Sequence, residues 1–210
     1  MKKVLLIGDS ISMDYGQYLP HFLAEGIHVY GKPDHGEAYQ DLDIPLGGNG
    51  GDSSMVLEYL QNADEDVLSC DYFFFNCGLH DIKHNRPSQQ IQISPEDYRA
   101  NLEKILALMQ ARKIPVVFIN STPTDGARHG KMKSFYRVTE ELPAYNTIAE
   151  AVMAKHQIPV IDLYGFTQAL GLSGDALFRD HTHFQPEVIQ LQAAYLAGCL
   201  GTMMTQEELA

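Results

Sequence analysis

Four consecutive large residues, Tyr72-Phe73-Phe74-Phe75, stand in this chain with no polar side chain among them. A strand sends alternate side chains to opposite faces, so this run is predicted to be covered on both sides, as a central strand is in a sheet flanked by helices. Reading the run on to Cys77, four others resemble it, at residues 3–8, 27–30, 115–120 and 159–163. Each is aliphatic or aromatic and ends in Gly, Pro or polar residues. Helical periodicity fills the stretches between them, at about 15–25, 53–64, 95–112, 138–156 and 186–200. The third is the clearest: Ser94 can cap it, Pro95 suits its first turn, Asp97 completes a capping box, and Leu102, Ile105, Leu106 and Met109 mark one apolar face.

Strands that alternate with helices predict an α/β fold on a parallel sheet. Five of them give a three-layer α/β/α sandwich with a flavodoxin-like five-stranded sheet of order 2-1-3-4-5, whose ligands bind at the carboxyl ends of the strands. One domain is expected over residues 1–210, since 45% hydrophobic content suffices for a single core and neither a repeat nor a low-complexity tract divides the chain.

The formal charge of −12 argues against nucleic acid as a partner, because a phosphate backbone would be repelled. Two lysines precede the apolar run Val4-Leu5-Leu6-Ile7, as in a secretion signal. The run stops at Gly8, short of the ~7–15 apolar residues of such a signal and of the ~20 of a membrane span, so a buried first strand is expected. Three cysteines without metal-binding spacing indicate a reducing compartment and a cytoplasmic location. Cys70 and Cys77 flank one predicted strand, roughly 23 Å apart at ~3.3 Å per residue, beyond disulfide reach.

Chemistry-bearing residues gather where strands end. The first strand runs into Gly8-Asp9-Ser10-Ile11, which puts Ser10 at the sheet rim; taken alone, this serine reads as a helix cap sooner than as a nucleophile. A loop after the second strand ends Gly47-Gly48-Asn49-Gly50-Gly51-Asp52-Ser53, where glycines allow sharp turns and close approach to a ligand; no P-loop lysine follows. The third strand leads into Gly78-Leu79-His80-Asp81. His80, Asp81 and His84 are a conceivable metal cluster, but Asn85 and Pro87 favour a loop over the helix such a cluster needs, and neither metal nor cofactor is expected. Near the end stands Asp180-His181-Thr182-His183, in which a carboxylate three residues before an imidazole can orient it and stabilise its protonated form.

In this order and at these places, the four segments resemble the sequence blocks of the GDSL/SGNH hydrolase superfamily, and the resemblance extends over nearly the whole chain. It implies a serine esterase with Ser10 as nucleophile, His183 as base and Asp180 as its orienting acid; His181 is expected to be dispensable. It also implies an oxyanion hole formed by the N–H groups of Ser10 and Gly51 and the side chain at position 80. The family's third block usually reads G-x-N-D, whereas this chain carries His80; neutral imidazole still offers one N–H. The polar loops 31–50, 79–94 and 121–134 favour a small acyl ester, an acetyl group on a carbohydrate, over a fatty acyl ester. Tyr15 and Tyr18 are candidate stacking residues for a sugar, with ordinary helix packing as the alternative. The competing expectations are a lysophospholipase or thioesterase acting on longer acyl groups, and a binding module of the same fold without catalysis.

Overall fold

The computed structural model describes residues 1–129, 131 and 134–208. In chain order its elements are β1 (Lys2–Ile7), α1 (Ser10–Gly16), α2 (Leu19–Phe22), β2 (Ile27–Tyr30), α3 (His35–Ala38), α4 (Ser53–Asn62), α5 (Glu65–Leu68), β3 (Tyr72–Phe75), β4 (His84–Asn85), α6 (Pro95–Ala111), β5 (Val116–Ile119), α7 (Gly126–His129), β6 (Phe135–Tyr136), α8 (Glu141–Lys155), β7 (Val160–Ile161), α9 (Leu163–Ala169) and α10 (Pro186–Glu208). The main sheet runs β2-β1-β3-β5-β7 with every pair parallel. Leaving aside the short antiparallel β4–β6 pair, this is the expected order 2-1-3-4-5.

β3 is central and buried along its whole length. Phe73 and Phe75 stack on one face, where Phe118 meets Phe75 edge-on, and Tyr72 and Phe74 occupy the other. Each such ring taken out of water contributes roughly 1.5–3 kcal/mol. On one side lie α4, α6 and α8; α6 is capped as expected, with Ser94 Oγ accepting from Asp97 N–H at 3.1 Å, and it buries Tyr98, Leu102, Ile105, Leu106 and Met109. The opposite layer comprises α1, α2, α9 and α10, with Leu196 and Leu200 facing Val4, Phe74 and Ile119.

The first helical segment differs from expectation. Helix begins at Ser10 itself, stops at Gly16 and restarts at Leu19 with Pro20 in its first turn. Asp9 sets the start, its Oδ1 accepting from Ile11 N–H at 3.0 Å. The last strand is shorter than expected because Asp162 already caps α9, accepting from Gly165 N–H at 2.8 Å. Among the described residues no helix is long and apolar enough to cross a membrane.

The order in which strands are added reverses at β1, which pairs in parallel with β2 on one side and β3 on the other. A crevice opens outside the carboxyl ends of the strands at such a switch point. Ser10 follows β1 here, and the turn 78–83 follows β3.

Candidate active site

Ser10 is buried at the start of α1, and its Oγ lies 2.8 Å from His183 Nε2 across 173 residues of sequence. Gly8 makes the turn possible, since a Cβ there would stand 2.5 Å from Ser12 Oγ. His183 lies on a tight loop closed by the Phe178–Phe184 bridge, those two rings stacking and Arg179 N–H bonding to His183 C=O at 2.9 Å. Within the loop Asp180 Oδ2 accepts from His183 Nδ1 at 2.7 Å, and Oδ1 accepts from the backbone N–H groups of Thr182 and His183, both at 2.8 Å. Partial burial, the largest single influence, pushes the Asp180 carboxyl upward. The hydrogen bond and charge of His183 and the two backbone donors outweigh it and hold the group well below the ordinary carboxylate range. An ionised carboxylate only accepts, so the Nδ1 proton points at Asp180 and Nε2 is free to accept from Ser10. Such a chain can take the proton from a hydroxyl that attacks a carbonyl.

His80 is buried in the turn after β3, where Ile82 N–H reaches Gly78 C=O at 3.1 Å. Burial, reinforced by the charges of Lys83, Arg137 and His183, drives its pKa well below that of an ordinary histidine, so the ring is neutral. Gly51 has φ +72°, and a Cβ there would stand 2.6 Å from Met55 Sδ. Its N–H is already engaged at 3.0 Å by Asn49 Oδ1, and that contact must yield before it can meet an oxyanion. The glycine loop is held to the nucleophile turn by Gly50 N–H donating to Gly8 C=O at 2.7 Å. Asp81 fixes the next helix, accepting from Ser53 N–H at 2.9 Å at the start of α4.

Tyr15 is not placed as a stacking residue must be. Tyr15 is buried in the core with an unpartnered hydroxyl, so its ring cannot stack on a sugar. Tyr18, half-buried, packs against the core between α1 and α2, edge-on to His21. His80 and His84 do not share a helical face either: His84 opens β4 and bonds Glu141 Oε2 at 2.7 Å. Among the described residues no group of three His, Cys, Asp or Glu is arranged to hold a metal ion.

Beneath the site lies a buried polar cluster that the motifs do not reveal. His181 Nε2 bonds Asp43 Oδ2 at 2.9 Å, and its Nδ1 lies 3.0 Å from Thr182 Oγ1. The buried Arg137 donates from Nη1 to Thr182 Oγ1 and His129 Nε2, each at 3.0 Å. Lys83 donates to Asp43 C=O at 2.5 Å and lies over the Phe135 ring; burial, then the Arg137 charge, lowers its pKa to about 7. Sequence spacing cannot expose such residues, whose partners come from distant loops. His181, expected to be dispensable, is one of them.

A parallel α/β sandwich with a hydroxyl–imidazole–carboxylate chain at its carboxyl edge defines a class, the serine-type hydrolases. The chain belongs to the GDSL-like lipase/acylhydrolase family, whose model matches residues 6–191, and it is a carboxylic ester hydrolase. Among curated proteins none matches it in sequence. Of the solved structures it resembles, the lipase/acylhydrolase from Enterococcus faecalis is 21% identical with TM-score 0.66, covering 94% of each chain. The acetylxylan esterase Axe2 from Geobacillus stearothermophilus is 13% identical with TM-score 0.68, over 93% of this chain and 92% of that one. The M. smegmatis aryl esterase is 15% identical with TM-score 0.65, over 96% and 99%. At these identities the likeness is one of fold.

Proposed function

We propose that the protein hydrolyses small acyl esters, acetyl groups on carbohydrate above all, through an acyl-enzyme on Ser10. His183 takes the Ser10 proton as the hydroxyl attacks and returns it to the leaving alcohol; water, activated by the same ring, then releases the acid. Asp180 holds the imidazole in its tautomer and stabilises the imidazolium. The Ser10 N–H, in the first turn of α1, and the neutral His80 ring face the developing negative charge, and the Gly51 N–H joins them on leaving Asn49. The observation that carries this reading is the unbroken run from Ser10 Oγ through His183 to Asp180, with contacts of 2.8 and 2.7 Å. The acetyl-carbohydrate preference draws support from the polar loops and from acetylxylan esterases found with the same fold. Action in the cytoplasm belongs to the same reading, supported by the free thiols of Cys70, Cys77 and Cys199.

One feature favours a longer acyl group. Ile44 and Leu46 are exposed on the loop that Asp43 ties to His181, and an acyl chain could lie against them. A p-nitrophenyl series from acetate to palmitate, run beside acetylated sugars, separates the two, with activity expected to peak at acetate and a peak at eight carbons or more favouring the lipid reading. A serine-directed phosphonate is expected to label Ser10. Mass-spectrometric recovery of the label on Ser12, Ser53 or Ser54, with Ser10 untouched, would sink the assignment.

A further inference from the structure

Arg137 is a buried cation that no step of the proposed reaction uses. Its Nε donates to Leu79 C=O at 2.6 Å, the carbonyl of the peptide that enters His80. Its Nη1 donates to Thr182 Oγ1 at 3.0 Å, inside the loop that carries Asp180 and His183. Thr182 in turn gives its backbone N–H to Asp180 Oδ1 at 2.8 Å. One planar group therefore joins the turn that follows β3 to the loop that precedes α10, segments with no sequence proximity. Lysine could not do this, because a single ammonium lacks the rigid fork that reaches two acceptors in fixed relation.

Burying a guanidinium is costly unless its charge and donors are compensated. No carboxylate touches Arg137 within the described residues; Asp43, Asp9 and Asp180 surround it at longer range. Its Cζ lies over the Phe135 ring, 5.2 Å from the centroid. His129 adds an acceptor at Nε2 and is held neutral, with burial first and then the charges of Arg137 and His181 lowering its pKa to about 3. A cation with so much built around it, and no direct ion pair, is poorly explained as a contribution to stability alone. Two of its three hydrogen bonds end instead on the two halves of the site.

We infer that Arg137 is a positioning residue of the ester hydrolysis, holding the His80 turn and the Asp180–His183 loop in register so that the oxyanion donor and the Ser10 hydroxyl activated by His183 converge on the same substrate carbonyl. This rests on the reading of Ser10, His80 and His183 given above. Misplacing reacting groups by about 1 Å can cost on the order of 100-fold in rate, even from a distance.

The test measures kcat and KM on p-nitrophenyl acetate, normalised to the sites titrated by a serine-directed phosphonate, so that unfolded protein is not counted. Arg137→Met is expected to lower kcat per titrated site by about 10- to 100-fold with KM little changed. Thr182→Val, which removes one arm of the bridge, is expected to lower it by about tenfold, while Thr182→Ser, which keeps the hydroxyl, stays near the wild-type value. If Arg137→Met does not fold, the Thr182 pair decides. Wild-type kcat per titrated site in Thr182→Val, or in a folded Arg137→Met whatever its melting temperature, overturns the proposal. Ser10→Ala separates the two ideas. Undiminished turnover in that variant overturns the Ser10 reading and the bridge with it, whereas an inactive Ser10→Ala beside an unaffected Arg137→Met overturns the bridge alone.

Discussion

A histidine in an oxyanion hole must donate without carrying charge, and the surroundings of His80 impose that state. Burial first, then the neighbouring charges of Lys83, Arg137 and His183, drive its pKa down, so the ring stays neutral across the range in which His183 must act as a base. A protonated ring beside His183 would instead oppose formation of the second imidazolium. On the proposed reading, His80→Ala should lose roughly 100- to 1,000-fold in kcat, the range for one missing oxyanion donor. His80→Asn, which restores an N–H at a similar reach, should retain substantial activity. Steady-state kinetics on both variants decides it: an alanine variant with wild-type kcat would put the donor elsewhere, and an asparagine variant as poor as alanine would mean that the ring does something an amide cannot.

At the level of elements, legibility followed burial. β3 and β5 announce themselves because both faces are covered and the sequence there is uninterruptedly apolar, and β1 does so from Val4 on, after two exposed lysines. The β4–β6 pair, two residues a side, is too short for any periodicity, and α9 was hidden by its place directly after β7. The start of α1 was misread because a helix beginning on Ser10 needs Asp9 as its cap, and Asp9 reads just as well as part of a turn. The same limit applied to the site: Ser10, Asp180 and His183 stand in short recognisable strings, while Arg137 and Asp43 act through partners 45 and 138 residues away. α10 tests how far packing and chemistry separate. Leu196 is buried against the sheet, ten residues into a helix that rises ~1.5 Å per residue, so it lies ~15 Å from the end nearest His183. Leu196→Ala should cost about 2–5 kcal/mol in urea unfolding yet leave kcat per titrated site intact. A fall in kcat in step with stability would show that α10 transmits its packing to the loop before it.

For the molecule as a whole, pH dependence sets two groups of carboxyls against each other. Asp180 and Asp43 titrate below their ordinary values, so the stability they contribute is complete above the unfolded value of ~3.9 and is lost as pH falls through their folded values. Asp81 runs the other way: burial, only partly offset by its bonds from Ser53, lifts it to about 7. Between pH ~3.9 and about 7 the folded state therefore holds a proton that the unfolded state has released, and stability falls as pH rises through that window. Lys83, lowered to about 7, binds its proton less readily when folded, so above neutrality it adds stability as pH rises toward its unfolded value of ~10.4. The net charge of −12 adds self-repulsion as the acids ionise. His80 and His129, held neutral in the fold by pKa values below the ordinary histidine range, oppose Asp81, adding stability as pH rises toward the unfolded histidine value of ~6.5. Asp81→Asn keeps a side-chain acceptor for Ser53 N–H but has no proton to release, so its stability relative to the wild type should rise between pH 5 and 7. Thermal unfolding of both proteins at half-unit pH steps reads this directly, and parallel curves for wild type and Asp81→Asn across that window would mean that Asp81 is ionised in the folded protein at pH 5, its burial compensated by the Ser53 donors.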